Sequence, residues 1–333
     1  FNENLNLNHS LIFNRLSIID LSDHATQPMF SRQFNTLIMF NGEIYNHREL
    51  RTELEKKKVD FNTSHSDTEL LLNGLSVEGI SFVHKLIGQF AIIFFNFNTG
   101  RTFLIRDRIG QKPLFYFLNQ ETFMFSSNLK SLSELIKNVE IDFQSYSEYL
   151  NYGVVPSPKT IYKNIFKLKP GQYIELDLLN NFKEIKNELY WNLEDFKNEN
   201  EFEEEKFLDL MQSAVSSRRE ADVDIAALLS GGVDSTSIVK FLNNEDNIVN
   251  TFSIGYKDKK YDESKWFDLV NKKYNTNPTV EILNKKDIDK YVMESIYALD
   301  EPYSDPSTIP SYVVNSQISK YFKVAITGDG GDE

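Results

Sequence analysis

Ser230-Gly231-Gly232-Val233-Asp234-Ser235 follows directly on the apolar run Val223-Asp224-Ile225-Ala226-Ala227-Leu228-Leu229 and directly precedes a stretch of helical spacing. A buried strand, a glycine turn and a helix start together turn several unpaired backbone N–H groups toward one point, which suits phosphate. No lysine and no GK[ST] ending is present, so this is not the loop in which a lysine reaches the terminal phosphates. The loop offers hydroxyls, glycine amides and one carboxylate, Asp234. A carboxylate beside phosphate requires a bridging divalent cation, which points to Mg²⁺. A turn that merely uses the conformational freedom of glycine is the plainer account, but six small or polar residues in a row add nothing to a core.

Downstream of about residue 200 the pattern alternates. Phe202 to Glu220 has helical spacing; strand 223–229, helix 235–243, strand 249–254, helix 263–275, strand 278–283, helices 286–298 and 310–321 and strand 323–327 follow. Such alternation predicts a parallel α/β sheet wound on both sides, with ligands at the carboxyl ends of its strands. Its last strand, Lys323-Val324-Ala325-Ile326-Thr327, runs into Gly328-Asp329-Gly330-Gly331-Asp332-Glu333 and repeats the logic of the first loop. Two such loops at one sheet edge can face a single nucleotide, with Asp234 and Asp332 as the metal-binding carboxylates.

Upstream the rhythm differs. Short strands are expected at Thr36 to Phe40, Gln89 to Phe97, Arg101 to Ile105, Leu114 to Leu118 and Thr122 to Ser126, with Asn98-Thr99-Gly100 as a hairpin signal. Helices are expected at His47 to Lys58, with Leu50 and Leu54 on one face, and at Asp67 to Leu75, capped by Ser66. Runs of strands flanked by helices predict an α+β layered domain of stacked sheets. The seam should fall in the polar stretch around Leu193 to Glu201, giving domains at 1–195 and 200–333.

Bulk properties agree with a globular chain of about two domains. Of its 333 residues 41% are hydrophobic and 26% charged, and the formal net charge of −13 argues against a nucleic-acid partner. No apolar run reaches membrane-spanning length and cysteine is absent, which excludes disulfides and thiolate metal sites; the expectation is a cytoplasmic protein with no membrane partner. Five scattered histidines without HxxxH spacing do not suggest zinc. Phe1 is not a start methionine and the chain ends on Asp332-Glu333 just after a glycine-rich turn, so the stretch reads as an internal fragment. Tyr261-Asp262-Glu263 and Asp300-Glu301-Pro302 read as acidic turns near the ligand edge, a helix start and a loop stop respectively.

Several ordered motifs carry a family resemblance. SGGVDS at 230–235, Thr251-Phe252-Ser253-Ile254-Gly255 and TGDGGDE at 327–333 resemble the synthetase half of glutamine-hydrolysing asparagine synthetases, members of the ATP pyrophosphatase family. Arg15-Leu16-Ser17-Ile18-Ile19-Asp20, Asn41-Gly42-Glu43-Ile44-Tyr45-Asn46, Ser66-Asp67-Thr68-Glu69 and Arg106-Asp107-Arg108-Ile109-Gly110-Gln111-Lys112-Pro113-Leu114 resemble, in that order, its glutaminase domain of the Ntn-hydrolase kind.

The resemblance implies a carbon–nitrogen ligase. Glutamine is hydrolysed in the first domain; in the second, ATP with Mg²⁺ adenylates aspartate, and ammonia displaces AMP from the β-aspartyl-AMP. Glutamine binding falls to Arg15, Leu16, Ile18, Ile19, Asn41, Gly42, Glu43 and Asp67. Arg15 would pair with the α-carboxylate, Glu43 and Asp67 would receive the α-ammonium, and Asn41 with Gly42 would form the oxyanion hole. A surface ion pair for Arg15, a helix cap for Asp67 and a hairpin turn for Asn41-Gly42 are the plainer alternatives. ATP binding falls to Leu229, Ser230, Gly231, Gly232, Asp234, Ser235, Ile254, Thr327 and Gly328, with Asp329 at the acyl-adenylate; core packing accounts equally well for the side chains of Leu229 and Ile254. The family's nucleophile is an N-terminal cysteine, which this sequence lacks. Either it lies upstream, the preferred account, or the glutaminase is inert, as in a related synthetase that amidates another carboxylate or closes a lactam. A nucleotide-binding regulator without turnover is the remaining alternative, and a homodimer is left open.

Overall fold

The central strands of the first half are built from residues that are apolar on both faces. In the computed structural model, which describes residues 10–197, 202–243, 248–260 and 262–331 and, for 285–288, the backbone alone, β1 (Met29–Ser31), β2 (Thr36–Ile44), β3 (Gly88–Asn96) and β4 (Arg101–Arg106) form an antiparallel meander. Helices α1 (His47–Lys56) and α2 (Asp67–Glu78) interrupt it between β2 and β3. After β4 come β5 (Phe115–Leu118), β6 (Phe123–Ser126), α3 (Leu129–Leu135), α4 (Phe143–Tyr152), β7 (Ile165–Lys167), β8 (Gln172–Asp177) and β9 (Lys183–Leu189). The large sheet has the order β1-β2-β3-β4-β8-β9, and a second, three-stranded sheet has the order β6-β5-β7.

Alternate residues of β2 and β3 feed two separate cores. Ile38, Phe40, Phe90 and Ile92 join Leu50 and Leu54 of α1 and Leu70 and Leu71 of α2 on one face. On the other face Leu37, Met39, Ala91 and Ile93 join Leu104 and Ile174, and Tyr116, Phe123 and Phe125 of the smaller sheet pack against them. Each of the fully buried side chains contributes about 1.5–3 kcal/mol. The result is helices, sheet and sheet in layers, the α+β arrangement expected of the first half. Ser66 caps α2, its side chain accepting from Glu69 N.

The strand expected to stop at Phe40 continues through Asn41, Gly42 and Glu43 to Ile44. Asn41-Gly42 is therefore not a hairpin turn. Gly42 sits in mid-strand opposite Phe90 at φ +148°, where an added Cβ would lie 1.9 Å from the carbonyl oxygen of Gln89. Glycine is required there because two backbones approach too closely for any side chain. Four strands, β1, β7, β8 and β9, and two helices were not read from the sequence. Helices α3 and α4 are short and leave Leu135, Phe143 and Leu150 exposed, so their apolar spacing is blurred, while β9 is exposed along its whole length and carries no buried stripe.

The second unit comprises residues 200–299 and 305–333; the first comprises residues 1–199 together with 300–304. Within the second unit α5 (Glu204–Ser217), β10 (Ile225–Leu228), α6 (Val233–Leu242), β11 (Asn250–Tyr256), α7 (Ser264–Tyr274), β12 (Asn277–Leu283), α8 (Lys285–Ala298), α9 (Thr308–Ile318) and β13 (Val324–Ile326) follow the expected alternation within a few residues at each boundary. All four strands are parallel in the order β12-β11-β10-β13. Neighbouring alanines of β10 point to opposite faces: Ala227 packs with Val215 of α5, Val239 of α6 and Phe267 of α7, and Ala226 with Ile318 of α9. The sheet is doubly wound, with its order reversing at β10, between β11 and β13.

The acidic turn at Asp300-Glu301 belongs to the first unit. Asp300 Oδ2 accepts from the N–H of Leu129 at 3.1 Å and its other oxygen from the Asn128 side chain, at the start of α3. Glu301 pairs with Lys167.

Candidate functional sites

In the second unit the chain leaves β10 at Leu229, turns at Gly231 with φ +87° and enters α6 at Val233. The turn is pressed against α7, since a Cβ on Gly231 would lie 2.6 Å from the Cβ of Trp266. Gly232 caps α6 without any side-chain bond, so the first amides of the helix keep the partial positive charge of an uncapped helix start. Within the loop the Ser230 and Ser235 hydroxyls are 3.1 Å apart, and Gly232 N donates to Ser230 Oγ at 3.3 Å.

The loop after β13 lies against this one. A Cβ on Gly328 would be 2.8 Å from the Cβ of Asp234 and 3.0 Å from the Ser235 nitrogen, and one on Gly331 would be 3.4 Å from Asp234 Oδ1. Both loops leave the carboxyl ends of adjacent parallel strands, where open α/β sheets bind ligands. The second loop holds its own shape, with Asp329 N donating to Thr327 Oγ1 and Gly331 N to the Gly328 carbonyl, both at 3.3 Å. Asp332 lies outside the described residues. Among those residues no three His, Cys, Asp or Glu side chains gather as a metal site.

Leu229 and Ile254 direct their side chains into the core. Leu229 packs with Ile238, Val239 and Phe267, and Ile254 packs against the clusters of Phe252 and Tyr291. What they can offer a ligand is backbone. Asp262 of the second acidic turn is used locally: its Oδ1 accepts from Tyr256 N, Ser264 N and Ser264 Oγ.

In the first unit Asn41, Gly42 and Glu43 lie in a row at the end of β2, and Asp67 opens α2 beside them. Both carboxylates are buried, Glu43 at 9% and Asp67 at 6% exposure. Ile44 N donates to Asp67 Oδ2 at 3.3 Å. Burial drives the Asp67 carboxyl up to about 7, with Glu43 as a nearby like charge adding to the rise. Glu43 is also raised by burial, against the opposing pull of Lys112 and a hydrogen bond from Gln89. Each carboxylate thus sits in a largely dry setting within the field of the other, where a nearby cation would favour the ionised forms.

Arg15 is bonded within its own loop. Nη1 donates to the Ser22 carbonyl at 2.7 Å, and Nη2 to the carbonyls of Ile19, at 3.3 Å, and Asp20. These bonds use the ends of the fork that a ligand carboxylate would take, so the guanidinium shapes the turn at Asp20, a residue at φ +54°. Leu16 is exposed, Ile18 half-buried and Ile19 buried.

The 106–114 motif has a structural part that its sequence did not disclose. Asp107 is 1% exposed. Its Oδ1 accepts from Gln111 N at 2.9 Å, and its Oδ2 from Lys112 N at 2.9 Å and Phe90 N at 3.2 Å. Arg106 donates to the carbonyls of Lys112 and Gly110, each at 2.8 Å, and to that of Leu168 at 2.5 Å. An Arg-Asp pair followed by glycine is the signal for such a self-bonded loop.

Comparison with known proteins agrees with both halves. Residues 3–191 match the model of the glutamine amidotransferase domain, and residues 206–333 match that of asparagine synthase. A protein of Methanocaldococcus jannaschii, provisionally named asparagine synthetase (glutamine-hydrolyzing) 2, is 33% identical over 342 positions, covering 96% of this chain and 65% of that one. Asparagine synthetase (glutamine-hydrolyzing) 1 of Bacillus subtilis is 30% identical, covering 96% of this chain and 50% of that one. The chain thus spans between half and two thirds of the length of these relatives. Among solved structures, the glutamine phosphoribosylpyrophosphate amidotransferase of B. subtilis aligns over 77% of this chain and 64% of that one at 12% identity with a TM-score of 0.34. In both its matched domains, and in their order, the chain belongs to the glutamine-hydrolysing asparagine synthetase family.

Proposed function

We propose that the protein makes asparagine from aspartate with ammonia taken from glutamine, through a β-aspartyl-AMP intermediate with release of AMP and pyrophosphate. On this reading residues 1–195 form the glutaminase domain and 200–333 the ATP pyrophosphatase domain. The observation that carries the synthetase half is the contact of the loops at 230–235 and 327–331 at the switch point of the parallel sheet.

In the second domain the amides at the start of α6, Ser230 and Ser235 hold the phosphates of ATP, and the backbone at Leu229, Ile254, Thr327 and Gly328 flanks the nucleotide. Mg²⁺ is commonly held by one or two carboxylates together with substrate phosphates. Asp234, whose side chain meets Gly328 and Gly331 at the loop contact, fits that donor set, with Asp332 as a second. An ion held there would supply positive charge against that of the departing pyrophosphate. Asp329 faces the acyl-adenylate.

In the first domain Glu43 and Asp67 receive the glutamine ammonium and Arg15 its carboxylate, once its carbonyl partners yield the fork. Leu16, Ile18 and Ile19 flank the substrate. Asn41 and the Gly42 N–H donate to the oxyanion, an interaction whose loss costs about 10²–10³ in rate. The 333 residues contain no cysteine, so the nucleophile comes from outside them or the glutaminase step does not occur.

The complete protein, given ATP, Mg²⁺, aspartate and glutamine, should release AMP and pyrophosphate in step with asparagine, and Asp234→Ala should abolish that release while glutaminase persists. Release of phosphate instead, or release indifferent to aspartate, overturns the reading. Turnover with ammonia and another carboxylate, but none with glutamine, would select the related synthetase with an inert glutaminase.

A further inference from the structure

We propose that Gln27 is a positioning residue of the glutamine pocket, its carboxamide spanning from β2 to the first turn of α2. It sets the separation between the oxyanion donors Asn41 and Gly42 and the ammonium acceptor Asp67, and through it the length of substrate the pocket prefers. The inference rests on the reading above, in which Asn41 and Gly42 take the amide end of glutamine and Asp67 its ammonium.

The contacts of one side chain carry it. Strand β1 starts at Met29, which pairs with Ile38; two residues back along the chain in the same register, Gln27 falls opposite Phe40. There the side chain does what backbone does at the pairs before it. Gln27 Oε1 accepts from Phe40 N at 2.5 Å, and Nε2 donates to the Phe40 carbonyl at 2.9 Å. The same Nε2 has a second N–H to give, and Thr68 Oγ1 lies 3.4 Å away to accept it. Phe40 immediately precedes Asn41, and Thr68 immediately follows Asp67. Phe40 is 3% and Thr68 4% exposed, so water is a poor substitute for the carboxamide at either end.

These bonds form one side of a bracket whose other side is the donation from Ile44 N to Asp67 Oδ2 at 3.3 Å. Asn41, Gly42 and Glu43 lie between Phe40 and Ile44, two β2 residues each tied to the first turn of α2, one through Gln27 and one directly. On its opposite edge the same segment is held by β3, with Gly42 across from Phe90. Satisfying Phe40 alone would need no more than another backbone rung; what the side-chain amide adds is a donor aimed at the helix. With strand and helix locked, a ligand whose ammonium is held at Asp67 presents its amide to Asn41 and Gly42 at one chain length only.

The test compares two ligands by isothermal titration calorimetry on the 333-residue chain: glutamine, and asparagine, which is one methylene shorter. Thr68→Val removes the link to α2 and leaves both bonds to Phe40, while Gln27→Met removes all of them. The preference for glutamine over asparagine should fall about threefold in Thr68→Val and about tenfold in Gln27→Met, the equivalent of one weak and one ordinary hydrogen bond. A role confined to holding the strand would lower the Tm of Gln27→Met and leave the ratio of the two affinities unmoved. Should Gln27→Met fail to fold, Thr68→Val decides alone. An unmoved ratio in Thr68→Val, and in Gln27→Met where it folds, overturns the inference while leaving the glutamine reading intact. Failure of the unaltered chain to bind glutamine removes that reading first and the inference with it.

Discussion

Gly328 and Asp234 meet so closely that a single methyl group on Gly328 would lie 2.8 Å from the Asp234 Cβ. The two residues are nearly a hundred positions apart, and only the pairing of β10 with β13 brings their loops to the same edge. Gly328→Ala should therefore pry the loops apart at a cost of about 1–3 kcal/mol, the usual cost of overpacking. Differential scanning fluorimetry with and without ATP and Mg²⁺ checks it: the variant should lose most of the ligand-induced rise in Tm, which the unaltered chain retains.

Gly42 faces a stricter limit, because its missing Cβ would fall 1.9 Å from a backbone oxygen that cannot rotate away, and its φ of +148° disfavours any L side chain. Gly42→Ala should destabilise the first unit by about 3 kcal/mol or more, combining overpacking with backbone strain. Urea denaturation followed by far-UV circular dichroism measures the loss, and a cost below about 1 kcal/mol would contradict the close approach of β2 and β3.

The carboxyl of Asp67 is raised from its ordinary value of 3.8 to about 7. Between those limits the folded chain keeps a proton that the unfolded chain has released, so stability falls as pH rises from about 4 to about 7 and levels off above. Asp67→Asn should flatten that slope and make the chain more stable than the unaltered one at pH 8, by an amount on the order of a few kcal/mol. The same variant should bind glutamine more weakly, since one anionic partner of the ammonium is gone. Melting curves from pH 4 to 8 together with glutamine titration decide both.

Asp107 satisfies three backbone N–H groups through two oxygens. Asp107→Ala should cost about 2–4 kcal/mol, because the buried Phe90 amide loses its partner outright while the more exposed Gln111 amide is recovered by water. Amide hydrogen exchange should quicken at Phe90, Gln111 and Lys112 and remain unaltered in β10 to β13; uniform quickening across both units would count against a local role.

Much of the fold is legible in the residues themselves. Strand–helix alternation from β10 to β13 is written in apolar runs punctuated by glycine, because a parallel strand buried on both faces has no polar residue to obscure it. In the first half the buried strands β2 to β4 are equally clear, while β9, exposed on both faces, and the short helices α3 and α4 are not, since their residues bury too little to leave a pattern.

For the sites, the sequence determined which chemical groups are available: the two glycine loops, the acidic pair Glu43 and Asp67, and the Arg-Asp loop at 106–112. Tertiary structure alone decided their surroundings. It buried Glu43 and Asp67 beside each other, turned Leu229 and Ile254 into core residues, bonded Arg15 to its own loop, and sent Asp300 to the start of α3. The physical reason is that residue type and spacing encode local geometry, whereas burial, field and partner arise from segments far apart in the chain, and their meeting is set by how the sheets pair and pack.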